Sequence, residues 1–214
     1  PYFALSFKKH FHVVFQVFIC YYLLTMFLIA GLGNPGEKYM RTRHNVGFLI
    51  LDELQKESWN KDKYAEAEYW QGEFAGHTTV FVKPHTFMNL SGRSIRELMD
   101  RDEIDMNRVV VVYDDIALPV GSFKISHDRG SGGHNGMKSI IKELDDKAFL
   151  RIRIGIAPVD EEGNVRRPED TAGFVLKEFS KGDLGKTMVL VPKIKESIKT
   201  FMEFGREVAM NKFN

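Results

Sequence analysis

The sequence predicts a single α/β domain, and three observations support this fold class. The 214-residue chain is 43% hydrophobic and 28% charged, a composition typical of a globular domain with one substantial core. From Met26 onward, short apolar runs rich in β-branched residues alternate with amphipathic stretches. No internal repeat or low-complexity linker interrupts this alternation. One domain built around a largely central sheet is therefore expected.

The order of the elements follows from the apolar periodicity. Alternating or continuous apolar runs predict strands at 27–33, 68–75, 79–83, 109–113, 121–126 and 150–156. Apolar residues at helical spacing predict helices at 45–56, 91–100, 136–144 and 193–211. Ser94 and Glu97 have the spacing of a capping box near the start of the second helix. The polar, glycine-containing stretch 161–170 is expected to be a loop that forms a mobile rim over a cleft.

The first 25 residues form a distinct segment. Residues 13–32 are interrupted only by Gln16 and Thr25, which on hydropathy alone would suit a membrane anchor. However, Met26 is a possible natural start, and the run overlaps the predicted strand 27–33, which cannot also span a lipid bilayer. We therefore expect residues 1–25 to be an apolar extension that is not part of the folded domain, and residues 26–214 to be the functional domain. A true anchor is the alternative.

Charge and cysteine content restrict the functional classes. The formal net charge of +1 is the difference between 30 basic and 29 acidic residues, so any nucleic-acid surface must come from local clustering. Cys20 is the one cysteine, which excludes an internal disulfide framework and a C-x-x-C metal or redox site. The expected compartment is the cytoplasm.

A dinucleotide fingerprint is a rival interpretation of the first glycine turn. Residues 31–36 read G-L-G-N-P-G and match G-x-G-x-x-G, with Asp52 about 20 residues later. That fingerprint requires a helix to begin at its third glycine and a second strand to end at the acid. Neither requirement is met, because 37–44 lack apolar periodicity and Val46, Ile50 and Leu54 place Asp52 on a helix.

Five polar elements instead predict a catalytic cleft. The turn after the first strand holds Asn34 at the carboxyl end of that strand, where α/β sheets bind ligands. His44 follows at the start of a helix, a position that disfavours the protonated ring and suits a general base. Asn89 precedes the second helix, and Asp114 ends the apolar strand that begins at Val109. Taken alone, each of these residues also fits an ordinary structural role as a helix cap, a turn former or a packing residue.

The fifth element is a glycine-rich loop, G-S-G-G-H-N-G, at residues 130–136. Such loops direct backbone N–H groups at an anion or a developing oxyanion, and the Asn135 side chain supplies a further donor. A plain flexible turn is the alternative. No metal is expected, because H-E-x-x-H and cysteine clusters are absent and the remaining histidines lack ligand spacing.

Together these elements closely resemble the bacterial peptidyl-tRNA hydrolase family over essentially all of residues 26–214. The motifs that carry the resemblance are G-L-G-N-P-G-E-K-Y, T-R-H-N-V-G-F, F-M-N-L-S-G, Y-D-D-I-A-L-P, G-S-G-G-H-N-G-M-K-S-I and R-I-R-I-G-I. The resemblance implies one α/β globule, a twisted mixed β-sheet surrounded by helices, acting as a monomer without metal or cofactor. It implies hydrolysis of the ester that joins a peptide, or an N-blocked aminoacyl group, to the 3′-terminal ribose of tRNA.

The resemblance also implies roles for individual residues. His44 is then the catalytic histidine and Asp114 its carboxylate partner. Cleft or tRNA-contacting positions are Asn34, Tyr39, Met88, Asn89, His134, Asn135 and Arg153. Ser126 is a departure, because many relatives carry a basic residue there; Lys124 and Arg129 would supply that phosphate-binding charge instead.

The basic side chains of 124–153 are the candidate tRNA surface. This stretch contains seven basic and four acidic residues, a modest excess of positive charge that a solvated helix face would also explain. The basic residues are Lys124, Arg129, Lys138, Lys142, Lys147, Arg151 and Arg153. Peptidyl-tRNA is therefore the expected partner, with no DNA and no membrane unless residues 1–25 are an anchor.

The absence of motifs for a covalent nucleophile restricts the possible mechanism. There is no G-x-S-x-G elbow, and the one cysteine lies in the extension, so water is the expected nucleophile. We expect neutral His44 to take a proton from this water while Asp114 accepts the other ring N–H. The alternative is an RNA-binding module that has lost catalysis, against which the retained Asn34, His44 and Asp114 argue.

Overall fold

The sheet contains seven strands in the order β2-β3-β4-β1-β5-β7-β6. The computed structural model describes residues 26–214, so the predictions for residues 1–25 lie outside the described residues. The strands are β1 (Phe27–Gly31), β2 (Asn60–Asp62), β3 (Ala67–Phe74), β4 (His77–Pro84), β5 (Val109–Pro119), β6 (Phe123–Ser126) and β7 (Leu150–Ala157). Strands β4, β1, β5 and β7 are parallel, whereas β2, β3 and β6 pair antiparallel. The expected mixed sheet is confirmed.

Helices cover both faces of this sheet. They are α1 (Val46–Leu54), α2 (Ser91–Arg101), α3 (Asn135–Leu144), α4 (Thr171–Val175), α5 (Lys181–Met188), α6 (Val191–Phe204) and α7 (Arg206–Phe213). Helices α1, α6 and α7 contribute to one hydrophobic core, and α2 and α3 contribute to the other. Strand β1 is buried along its whole length because alternate residues enter the two cores. Within residues 26–214, no helix is both long and apolar enough to cross a membrane.

Several predicted boundaries were wrong, each for a local reason. The predicted helix 193–211 is two helices, because Gly205 has a φ of 83° that ends α6 before α7 begins. The strand predicted at 109–113 continues to Pro119, with a register shift between Asp115 and Pro119. The capping box was also wrong: α2 begins at Ser91, and the Ser94 hydroxyl inside the helix lies 3.3 Å from the Thr86 hydroxyl. Strand β2 was missed because its sequence, NKD, carries no apolar signal.

A close approach of two glycines fixes α1 against the sheet. A Cβ atom at Gly47 would lie 2.3 Å from the Leu32 nitrogen and 2.5 Å from the Val112 oxygen. Gly31, on β1, faces the Gly47 carbonyl in the same contact. Helix α1 therefore packs directly on the backbones of β1 and β5, which sets the position of the turn that precedes it.

We expect Gly47→Ala to lower the free energy of unfolding by about 1–3 kcal/mol, because the added methyl group must push the helix off the sheet. Denaturant unfolding checks this value. The matched control is Gly185→Ala in α5, where an added Cβ would meet no atom within 4 Å. That variant should be neutral or stabilised by up to roughly 1 kcal/mol, since alanine is the better helix former. Equal stability of the two variants would contradict the packing argument.

Candidate active site

The site lies at the carboxyl end of β1, beside the middle of β5. These strands are parallel neighbours with Gly31 opposite Val112, so the turn after β1 and the second half of β5 meet at one edge of the sheet. Asn34 lies in that turn and Asp114 lies on β5, two residues beyond the paired Val112. The structure thus brings the two residues to the same sheet edge, as the sequence predicted.

Asn34 is held by hydrogen bonds from two directions. Its backbone N–H donates to Asn45 Oδ1 at 2.9 Å, and Asn45 Nδ2 donates to the Asn34 carbonyl at 2.8 Å. The Met88 N–H donates to Asn34 Oδ1, also at 2.9 Å. Asn45, which was not predicted as a site residue, therefore locks the turn after β1 to the turn that carries His44. Its place directly after His44 was the available signal.

His44, Asp114 and His134 form the centre of the site. His44 lies in a 3-10 turn, Arg43–Asn45, immediately before α1. Its Nδ1 is 2.8 Å from Asp114 Oδ1, and His134 Nε2 is 2.9 Å from the same oxygen. The Asp114 side chain is only 2% exposed and that of His44 is 11% exposed. One buried carboxylate oxygen thus accepts from two imidazole rings.

The hydrogen bonds determine where the ring protons lie. His134 Nδ1 accepts from the Met137 N–H at 3.2 Å, so the proton of neutral His134 is on Nε2 and points to Asp114. An ionised Asp114 can only accept, so neutral His44 carries its proton on Nδ1. Its Nε2 atom therefore presents a lone pair, which is the requirement for a general base.

Asp114 remains ionised despite its burial. Burial alone raises the pKa of this carboxyl group, but the adjacent His44 and His134 rings and their hydrogen bonds outweigh it and hold the pKa below its usual value. A permanent negative charge is thus placed against His44. It stabilises the ring in its protonated form, which a general base must adopt during the reaction.

The same three side chains are the candidate metal ligands among residues 26–214. Their ligand atoms all lie within 4.8 Å of one another. However, the two ring nitrogens that face Asp114 carry the protons of its hydrogen bonds, so a metal ion would have to displace both. The hydrogen bonds account for the cluster without a metal ion.

A cleft of about 530 Å³ opens beside this cluster. Of the predicted site residues, His44, Asp114, Arg129, His134, Asn135 and Arg153 line it. Asn34, Tyr39, Met88, Asn89 and Lys124 do not. The structure therefore brings together about half of the predicted set around one cavity.

The remaining predicted residues surround the site. Met88 is buried, and a Cβ atom at Gly136 would lie 2.6 Å from its sulfur, so Met88 packs beneath the start of α3. Asn89 is exposed, and Tyr39 is partly exposed in the turn after Gly36. Lys124 is exposed on β6 opposite Arg153 on β7.

Two basic residues of the predicted tRNA surface have structural contacts. Arg153 Nε donates to Asp115 Oδ2 at 2.6 Å. Arg151 is fully buried, so its inclusion among the solvent-facing cations was wrong. Its guanidinium donates to the carbonyls of Arg129 and of Gly130, the latter at 2.8 Å, and burial lowers its pKa. Arg151 therefore supports the glycine-rich loop from below, and the partner residue Ser126 opposite it is buried as well.

Arg43 also went unpredicted. Its guanidinium lies over the Phe174 ring, 4.4 Å from the centroid, and its Nη1 donates to the Glu178 carbonyl at 2.7 Å. Its backbone N–H donates to the Lys177 carbonyl at 3.1 Å. Arg43 thus fastens the segment after β7, including α4, to the turn that carries His44.

Comparison with known proteins agrees with this geometry. Residues 28–214 match the family model described as peptidyl-tRNA hydrolase. The chain is 41% identical to a peptidyl-tRNA hydrolase of Listeria welshimeri over 193 residues, which is 88% of this chain and all of the relative. It is equally identical to the enzyme of that name from Alkaliphilus metalliredigens, with the same coverage. The crystal structure of peptidyl-tRNA hydrolase from Acinetobacter baumannii superposes with a TM-score of 0.78 at 27% identity, covering 90% of this chain and 95% of that one. The chain belongs to the peptidyl-tRNA hydrolase family.

Proposed function

We propose that this chain hydrolyses the ester bond between a peptide, or an N-blocked aminoacyl group, and the 3′-terminal ribose of tRNA. The observation that carries the proposal is the buried Asp114, which hydrogen-bonds His44 at the mouth of a cleft in a chain of this family. The products are free tRNA and a peptide with a free carboxylate.

The chemistry follows from the direction of the hydrogen bonds. A water molecule attacks the ester carbonyl while His44 Nε2 takes its proton, and Asp114 stabilises the imidazolium that forms. The tetrahedral intermediate then collapses, the bond between the carbonyl carbon and the ribose oxygen breaks, and the imidazolium returns its proton to that oxygen. General-base assistance of this kind contributes roughly 10²- to 10⁴-fold in rate.

The glycine-rich loop supports the choice of oxyanion donor. Asn135 is the first residue of α3 and lines the cleft with Gly132 and Gly133. Asn89 lies outside the cleft lining. We therefore favour Asn135 and the loop N–H groups as donors to the developing oxyanion, with Asn34 fixing the turn beside them.

The test of the function is release of free tRNA from purified peptidyl-tRNA or N-blocked aminoacyl-tRNA. Turnover by the wild-type chain is the expected result. Binding of the substrate without release would instead favour an RNA-binding module that has lost catalysis. The dinucleotide alternative is disfavoured because only a three-residue 3-10 turn, Glu37–Tyr39, follows Gly36 and because Asp52, on α1, pairs with Lys83 at 2.9 Å.

Lys124 and Arg129 are the proposed phosphate contacts of the tRNA body, because both are exposed, Lys124 lies opposite Arg153, and Arg129 lines the same cleft as Arg153. We expect Lys124→Ala with Arg129→Ala to raise KM for full-length peptidyl-tRNA and to flatten its salt dependence, since each lost phosphate contact lowers the slope by about one. Turnover of a minimal substrate without the tRNA body should change little. Kinetics at several salt concentrations provide the check, and equal losses on both substrates would contradict this role.

We further propose that the protein works as a monomer in the cytoplasm and needs no cofactor. The hydrogen-bonded site supports the last point, because His44 and Asp114 supply both the base and its charge partner. Light scattering of the protein in solution is expected to show a single species with about the mass of one chain.

The proposal for residues 1–25 is that the enzyme does not need them. Strand β1, which positions Asn34, begins at Phe27, and every residue of the site follows it. We expect the fragment 26–214 to keep the specific activity and the Tm of the full chain, and to be more soluble because the removed segment is apolar. Loss of activity, or a fall in Tm of more than several degrees, would show that the segment is structural; membrane fractionation of the full chain would then test the anchor alternative.

A further inference from the structure

The cleft beside His44 has unbalanced charge. Its lining includes three arginines, Arg129, Arg153 and Arg167, and two aspartates, Asp114 and Asp115. Asp115 pairs with Arg153 at 2.6 Å, and Asp114 accepts from the two histidines. Within residues 26–214, neither Arg129 nor Arg167 forms an ion pair. Two uncompensated cations therefore line the cavity that holds the base.

Arg167 is carried by a segment that begins as a small hairpin directly after β7 and ends at the cap of α4. We name residues 158–170 the rim segment. At its start, Val159 forms a β-bridge with Val165, and the Arg166 N–H donates to the Pro158 carbonyl at 2.9 Å. At its end, Asp170 Oδ1 caps α4 by accepting from the Gly173 N–H at 2.8 Å. Arg167 lies between this hairpin and the cap.

The rim segment is also tied to the turn that carries His44. Helix α4 follows it directly, and the Phe174 ring of that helix packs against the Arg43 guanidinium. Arg43 adjoins His44 in the same 3-10 turn. Arg167 is therefore linked to the base through the start of α4, the Phe174–Arg43 contact and the 3-10 turn, and its side chain is exposed.

We infer that Arg167 binds the phosphodiester that joins the last two nucleotides of the tRNA. This inference rests on the proposed function, which requires the ester on the terminal ribose to reach His44. The phosphate on the 5′ side of that ribose is the nearest anionic group of the substrate to the ester. A guanidinium fork matches phosphate oxygens in a bidentate manner. Because every tRNA carries this phosphate, the contact positions the substrate without reading its sequence.

The experiment uses the full chain and N-blocked aminoacyl-tRNA made in two forms. In one form the last phosphodiester is natural, and in the other it is a neutral methylphosphonate. The variants are Arg167→Gln and a matched control, Arg166→Gln, which removes the neighbouring exposed arginine that does not line the cleft. KM and kcat are measured for each of the three proteins with each substrate.

We expect Arg167→Gln to raise KM for the natural substrate by about tenfold, because a charge-assisted contact is lost, and to leave kcat near the wild-type value. It should change nothing on the methylphosphonate, for which the wild type already shows the loss. Arg166→Gln should follow the wild type on both substrates. The inference is overturned if Arg167→Gln leaves KM for the natural substrate unchanged or raises KM equally for both substrates. It is also overturned if Arg166→Gln raises KM for the natural substrate as much as Arg167→Gln does. Failure of the wild type to cleave either tRNA would contradict the proposed function instead.

Discussion

His44→Ala is expected to lower kcat by at least about a hundredfold, while KM and Tm stay close to the wild-type values. The substitution removes the one lone pair that the site directs away from Asp114, but it removes little packing, because His44 lies in the cleft wall. Steady-state kinetics with N-blocked aminoacyl-tRNA, together with thermal unfolding, measure both effects.

A histidine outside the cleft provides the matched control. His127 is partly exposed and lies by Arg206, with 3.4 Å between its Nε2 and Arg206 Nη1. His127→Ala should leave kcat unchanged. If His44→Ala kept more than about a tenth of wild-type kcat, His44 would not be the base.

Asp114→Asn is expected to lower kcat by roughly ten- to a hundredfold, less than the loss of His44 itself. Both histidines contact the same oxygen, Oδ1, so an amide oxygen in its place still accepts both hydrogen bonds. The change therefore keeps the ring orientation and removes only the negative charge that stabilises the imidazolium.

Kinetics and circular dichroism of the Asp114→Asn variant distinguish a loss of kcat caused by the missing charge from a loss caused by misfolding. A folded variant with wild-type kcat would show that the buried charge does not contribute. A folded variant as slow as His44→Ala would show that orientation of the ring also depends on the charge.

The sequence predicted the strands of the central sheet because their signal is local. Strand β1 and the first half of β5 are apolar on both faces, as a central parallel strand must be. The failures have a local cause at Gly205 and a tertiary cause at β2. Gly205 divides the last predicted helix through a positive φ, and β2 pairs with β3 although all three of its residues are polar.

The same distinction applies to the site. The structure places four predicted residues around one cleft: His44, Asp114, His134 and Asn135. They were predicted because they lie in short sequence motifs, and His134 because of the family resemblance. Arg151 was misplaced because its burial depends on the glycine-rich loop that covers it, which is a long-range contact. Arg43 went unpredicted because its partners, Lys177 and Glu178, are more than 130 residues away in sequence.

The most direct test of the mechanism is the pH dependence of kcat/KM for the wild type and for His44→Ala. The wild-type kcat/KM should fall tenfold per pH unit on the acid side, because a general base acts only in its unprotonated form. Asp114 does not produce this fall, since the two histidines hold its pKa below the usual value and keep it ionised there. The account predicts that the residual activity of His44→Ala lacks this acid limb. An acid limb of the same slope and midpoint in the variant would contradict it and assign the base to another group.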